Sequence, residues 1–329
     1  MKVSVLMLAY NQERYIGEAI RSVMLQQTDF PFELVIGNDG SGDRTGAICR
    51  EWQKRYADRI VLIDRPKNIG LIPNFMQTYP HCKGNYIAIC EGDDFWTDKS
   101  KLQRQVDFLD THPDYVLCFH RVINYYADKG TKSLSNGGQQ TDTDIHDLAR
   151  SNYISNVSAV FRNHLLPDGL PKWFGEVSTY DYALHMLNAQ FGKIHYMKRP
   201  MAVYRQHGKA IWSQAAETSK LDISLKVREL LMEYFRDSRP DVYEPLRNSY
   251  TAICLNHIRH YRHTNTSAAE EIENRLQTHC PEWTRQRIRQ ELKDKHPNRK
   301  QRIKATWVRM LKSVRSICSY FIPLPRIRG

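Results

Sequence analysis

Across the first 120 residues, five short apolar runs alternate with longer stretches of helical pattern: Val3 to Tyr10, Leu34 to Gly37, Ile60 to Ile63, Tyr86 to Cys90 and Tyr115 to Phe119. Such runs read as buried strands, and strands separated by helices pair in parallel through right-handed crossovers. The pattern predicts an α/β fold, an open and mostly parallel twisted sheet flanked by helices. Ligands of such sheets bind outside the carboxyl ends of the strands. The candidate site is therefore Ala9-Tyr10-Asn11, Asn38-Asp39-Gly40-Ser41, Asp64-Arg65 and Glu91-Gly92-Asp93-Asp94, of which three carry carboxylates.

Later segments differ in texture. Asp128 to Asp144 is rich in Gly, Ser, Thr and Asp, lacks apolar periodicity and reads as a loop. Residues 145–215 read as mixed, aromatic-rich structure completing a cleft, and Ser219 to Lys295 has helical spacing, as in Leu221, Leu225 and Leu231. The expected organisation is one domain over 1–215, built of the sheet at 1–120 and the cleft-completing segment at 145–215. A helical extension over 216–300 and a basic tail over 301–329 follow.

At the end of the fourth run, Glu91, Asp93 and Asp94 place three carboxylates in four positions. They repel one another unless a cation lies between them, and a hard divalent ion that bridges a diphosphate is one answer. The other is an exposed acidic turn before a helix capped by Asp98. Asp39 opens a second turn, where an acid suits a uracil imide or a ribose hydroxyl, although Asp-Gly is also a common turn pair. Gly40, Gly42 and Gly46 miss G-x-G-x-x-G by one position, and the chain has no G-x-x-x-x-G-K-[ST], so dinucleotide and P-loop readings lose their main support.

Together, Ser4 to Asn11, Asn38-Asp39-Gly40-Ser41-x-Asp43-x-Thr45, Asn68-x-Gly70, and Glu91-Gly92-Asp93-Asp94-x-Trp96 followed by Lys101-Leu-Gln-x-Gln-Val106 closely resemble family 2 glycosyltransferases. The likeness continues more loosely through Tyr180-Asp181-Tyr182 and Val203-Tyr-Arg-x-His207. It implies a GT-A glycosyltransferase domain over 1–215, in which a nucleotide-sugar-binding half at 1–120 joins an acceptor half at 145–215, with inversion at the sugar's anomeric carbon. It also implies a nucleotide-sugar site at Ala9, Tyr10, Asn11, Asp39, Asn68, Glu91, Asp93 and Asp94. A divalent metal, Mn or Mg, is expected on Asp93, Asp94 and His207, and Asp181 falls where the family keeps its catalytic base. Arg205 and Lys209 are candidate phosphate contacts. Two positions depart from the family pattern: Glu91 stands where an Asp is commoner, and Tyr180 where a Glu usually precedes the base. For Asp181 the residues alone leave a second reading, an acid stabilised at a helix N-terminus. For His207 the alternative is a solvated turn. His257, His260 and His263 lack the i, i+4 spacing of a helical zinc pair and read as a surface face.

Charge bears on partners. The chain has 48 Lys and Arg against 36 Asp and Glu, an excess that suits nucleic acid, an anionic membrane or a phosphorylated substrate. From Arg285 to Gly329 there are 14 basic and two acidic residues, so the whole excess lies there. Between Gln301 and Ile322, Trp307, Met310, Leu311 and Val314 share one helical face with Ile303, Ile317, Cys318 and Phe321, while Arg309 and Lys312 lie opposite and Arg315 flanks them. That pairing predicts a helix lying in an anionic membrane surface, and its continuous apolar face argues against nucleic acid. The seven cysteines are odd in number, scattered and form no C-x-x-C pair, which fits a reducing cytoplasm. Met1-Lys2 and the run after it read as a first strand rather than a signal peptide. With no apolar stretch of the roughly 18 residues that span a bilayer, the expected location is cytoplasmic, peripheral to the inner face of the membrane. These features predict an inverting transferase moving a hexose from a nucleotide sugar, UDP-linked, to a hydroxyl of a lipid-linked oligosaccharide in surface polysaccharide biosynthesis. A sugar-nucleotide binder or nucleotidyltransferase is the rival, and the missing Gly-rich phosphate loop counts against the latter.

Overall fold

The structure, a computed structural model, describes residues 1–135, 137–207 and 216–294. These residues form two compact units, 1–148 with 152–207, and 149–151 with 216–294.

In the first unit, β1 (Val3–Ala9), α1 (Ile16–Met24), β2 (Phe32–Asn38), α2 (Thr45–Arg55), β3 (Ile60–Asp64), α3 (Leu71–Thr78) and β4 (Tyr86–Ile89) build the strand order β3-β2-β1-β4, parallel throughout. Every residue of β1, β2 and β4 is buried, which is why they read as unbroken apolar runs: a parallel strand is covered on both faces. Helix α1 turns Ile16, Ala19, Ile20 and Val23 into the core at steps of three and four. Ile16, Ile20 and Val23 each contribute about 1.5–3 kcal/mol over exposure. Register pairs Ala9 with Asn38 and Asn38 with Asp64, so the polar strand ends emerge along one edge.

Beyond β4 the sheet is mixed. The elements β5 (Phe95–Trp96), α4 (Lys101–Thr111), β6 (Tyr115–Tyr126), β7 (Thr131–Leu134), β8 (Asp142–Thr143), α5 (Ile145–Arg150), β9 (Val160–Arg162), α6 (Asp181–Asn188) and β10 (Lys193–Gln206) follow in sequence. Strand β9 lies antiparallel between β4 and β6, and β10 runs parallel to β6 with a register shift between Met197 and Ala202. Near its end β10 holds β5 through Ala202 with Trp96 and Val203 with Phe95. The stretch from Asp128 to Asp144, expected as a loop, instead contains β7 and β8, paired antiparallel to β6 and β10. Every residue of β7 is half-buried, a setting that asks for no apolar alternation.

The second unit is helical, as expected: α7 (Glu217–Phe235), α8 (Pro240–Tyr261), α9 (Thr266–His279) and α10 (Arg285–Asp294). Leu221, Leu225, Leu231 and Phe235 of α7 are buried, and Glu229 binds Arg275 of α9 at 2.9 Å and the Tyr250 hydroxyl of α8 at 2.8 Å. Among the described residues no helix is long and apolar enough to cross a membrane. Lys209 and the tail, with Trp307, Arg309, Met310, Leu311, Lys312, Val314 and Arg315, lie outside the described residues.

Candidate active site

The site is assembled from the outer ends of β2, β1 and β4, then closed by β10 and α6. After β1, Asn11 adopts φ 52°, the left-handed region that Asn tolerates. Its Oδ1 accepts from Gly42 N at 2.9 Å, and its own N donates to Ser41 Oγ at 3.0 Å, locking the first two strand ends together. Tyr10 stands 48% exposed at the lip.

Asp39 is buried, and its two oxygens accept from Ile69 N at 2.9 Å and Gly70 N at 3.0 Å. Gly40 makes this approach possible. It has φ 59°, and a Cβ there would lie 2.2 Å from the backbone carbon of Lys67. A carboxylate has about four acceptor positions, so two backbone donors leave Asp39 capacity for a ligand. Asn68 is exposed on the same loop.

The acidic turn after β4 splits its carboxylates among three tasks. Asp93 Oδ2 lies 3.0 Å from His207 Nε2, and the His207 ring packs 4.7 Å from that of Tyr15. Asp94 is buried and accepts from Arg205 N at 2.8 Å, which fastens the turn to β10. Burial and the neighbouring Asp93 raise its carboxyl well above the usual range. Glu91 Oε1 accepts from the Tyr180 hydroxyl and from Asn156 Nδ2, the latter at 3.0 Å. Burial pushes the Glu91 carboxyl up to about 8, with the Tyr180 hydrogen bond opposing and Asp93 reinforcing the shift. Gly92 lets the turn sit against α1, since a Cβ there would fall 2.8 Å from Ile16 Cδ1.

Arg205, expected to contact phosphate, is engaged elsewhere. It is 6% exposed, its guanidinium binds Glu18 Oε2 at 2.6 Å and the Asp93 carbonyl, and it lies over the rings of Tyr15 and Phe95. Both ends of the fork are used inside the protein, so the residue buttresses the turn. Asp181 begins α6, and burial raises its carboxyl, with Tyr182, Thr179 and Asn152 opposing the shift. Asp94, Asp93, Asp181 and Glu91 all act on Tyr204, whose hydroxyl burial and these charges push up. The Tyr180 hydroxyl on Glu91 brings the residue before Asp181 to the acidic turn. Sequence reasoning missed Tyr15, Glu18, Asn156, Tyr180 and Tyr204 as parts of the site.

Among the described residues no group of three or more His, Cys, Asp and Glu side chains forms a ready-made metal cage. Asp93 and His207 offer one carboxylate oxygen and one imidazole nitrogen on a shared edge. That donor set fits a divalent ion that takes its remaining ligands from a diphosphate and water. Asp94, with one oxygen on the β10 backbone, stands apart from the pair.

A sheet of this order, with an acidic turn at its ligand edge, has the GT-A glycosyltransferase fold. The sequence model of glycosyl transferase family 2 matches residues 4–168, half of the chain, and the chain belongs to that family. It is 38% identical over 214 residues to an uncharacterized protein of Mycobacterium tuberculosis, covering 65% of this chain and 61% of that one. The chain thus spans less than two thirds of that relative's length. Staphylococcus aureus TarS 1-349, solved in complex with UDP-GlcNAc, is similar in structure with a TM-score of 0.58 at 18% identity, over 86% of this chain and 80% of that one. The mannosyltransferase PcManGT from Pyrobaculum calidifontis, solved with GDP-Man and Mn2+, gives 0.53 at 15% identity, over 97% and 85%. At these identities the likeness is one of fold.

Proposed function

We propose that this chain is an inverting hexosyltransferase that takes its sugar from a UDP-linked donor and passes it to a hydroxyl of a lipid-linked oligosaccharide. The observation that carries the reading is the Asp93–His207 pair on an acidic turn whose Glu91 binds the residue before Asp181, at the mouth of a parallel sheet. Nucleotide sugars in the two structural neighbours, UDP-GlcNAc and GDP-Man, support a donor of that class.

In this reading, Asp39 and the loop it holds receive the nucleoside, with Asn11 and Tyr10 bounding the crevice. Asp93 and His207 would hold a divalent metal, Mn or Mg, which supplies positive charge beside the departing diphosphate. Asp181 accepts the proton of the acceptor hydroxyl as that oxygen attacks the anomeric carbon from the face opposite the leaving group. Its raised carboxyl makes it a stronger base than an ordinary aspartate. The tail from 301 to 329 brings the enzyme to an anionic, cytoplasmic membrane face where a lipid-linked acceptor resides, which would place the reaction in surface polysaccharide assembly.

Thermal unfolding of the purified chain with UDP, GDP, CMP or NAD, each with and without Mn, tests the donor class, because a ligand of the native state raises the midpoint. A Mn-dependent rise with UDP alone is expected. A rise with GDP instead moves the base assignment away from Asp39 and uracil, and no rise with any nucleotide removes the reading.

A further inference from the structure

The two positions at which this chain departs from the pattern of its family touch each other. Glu91, at the end of β4, accepts a hydrogen bond from the hydroxyl of Tyr180, the residue immediately before α6. Asn156 Nδ2 braces both partners, lying 3.0 Å from Glu91 Oε1 and 2.9 Å from the Tyr180 oxygen. The Tyr180 ring is fixed independently: it is 3% exposed and stacks on Phe75, with centroids 4.2 Å apart. An acid at position 180 would set a second carboxylate against Glu91. A phenol brings a neutral donor instead, and Glu91 Oε1 accepts from it whether or not that carboxyl carries a proton.

We propose that Tyr180 is a positioning residue for glycosyl transfer: its hydroxyl, bound to Glu91, holds the first turn of α6, and with it the Asp181 carboxylate, in place against the acidic turn. The inference rests on the reading of Asp181 as the base. Tyr180 touches neither donor nor acceptor in this scheme. It acts by making the end of β4 and the start of α6 one rigid piece, so that the base is already aimed when the donor is bound. The ring stacking sets the depth of Tyr180, and the hydroxyl sets its direction.

Tyr180→Phe keeps the ring on Phe75 and deletes the hydroxyl. With the full chain, and with the nucleotide sugar that stabilises it as donor and water as acceptor, release of the nucleoside diphosphate reads turnover. The expected result is a kcat lowered about tenfold to a hundredfold, with donor KM within about twofold of wild type. Glu91→Gln retains an acceptor oxygen and should lose less, and the double variant should lose no more than Tyr180→Phe, because the hydroxyl acts through residue 91. Glu91→Asp draws the acceptor back by one methylene and carries the expectation of Tyr180→Phe even if that variant does not fold. A Tyr180→Phe enzyme with wild-type kcat, or one whose loss lies wholly in donor KM, overturns the proposal. If the wild-type chain shows neither turnover nor a nucleotide-dependent thermal shift, the functional reading fails instead, and amide exchange then tests the link alone. Tyr180→Phe should speed exchange at both 91–94 and 181–184, and unchanged exchange at 181–184 overturns the link.

Discussion

A carboxylate that takes a proton from a sugar hydroxyl works best when it is more basic than a free aspartate, and burial at the start of α6 moves Asp181 in that direction. The acidic limb of its pH–rate profile should therefore lie above the ordinary aspartate value of about 3.9, with kcat/KM falling as pH drops through it and the base becomes protonated. Asp181→Asn should lower turnover about 10²- to 10⁴-fold, abolish that limb and leave the nucleotide-induced thermal shift intact. The same change should raise the melting temperature at pH 7. An acid whose pKa is raised on folding binds more protons folded than unfolded, so its ionised form weakens the fold above that pKa. Near-normal turnover by Asp181→Asn would remove it from the mechanism. Asp181 could be singled out because it falls where the family pattern keeps its base, but the contacts of its neighbours could not. Tyr180 lies 89 positions from Glu91 and Arg205 lies 187 from Glu18, and no local spacing records a contact made only by the closed sheet. Arg205 was visible as a cation near the motif, yet whether it faces phosphate or protein depends on Tyr15, Glu18 and Phe95, which come from other elements.

Strand ends and the loops that join them carry most of the proposed donor site, and Gly40 shows how closely two of them pack. Gly40→Ala forces a left-handed residue to carry a Cβ against the Lys67–Asn68 backbone, at a cost of about 1–3 kcal/mol. Relief of that clash pushes the 67–70 loop off Asp39, so nucleotide affinity should fall together with the melting temperature, both read from one thermal titration. Loss of stability with unchanged affinity would separate the loop from the nucleoside site. The elements themselves divide by how much burial wrote into them. Strands β1, β2 and β4 are buried throughout and stand out as apolar runs. By contrast β7 is a half-buried Thr-Lys-Ser-Leu strand beside a chain turn, with nothing in its composition to separate it from a loop. Parallel pairing within β3-β2-β1-β4 followed from the alternation with helices. The antiparallel insertion of β9 between β4 and β6 did not, because a three-residue strand leaves almost no periodic signal.

At the scale of the chain, the candidate site and the basic excess separate by sequence. The carboxylates of the candidate site all lie before residue 182, whereas residues 301–329 hold seven basic residues and no acidic one. Removing 301–329 should abolish sedimentation with vesicles rich in anionic lipid while leaving the nucleotide-dependent thermal shift unchanged, and binding of the full chain should weaken as salt is raised. Undiminished sedimentation of the shortened chain would take the tail out of the proposal. The family match closes at residue 168, yet β10 begins only at Lys193. A segment excised at the edge of the match would keep every strand end of the parallel half. It would lose the strand that clasps β5, the amide that Asp94 binds and the imidazole beside Asp93. Anyone grafting this module onto another protein should keep the chain through His207, because the match to the family model stops short of the strand that completes the candidate site.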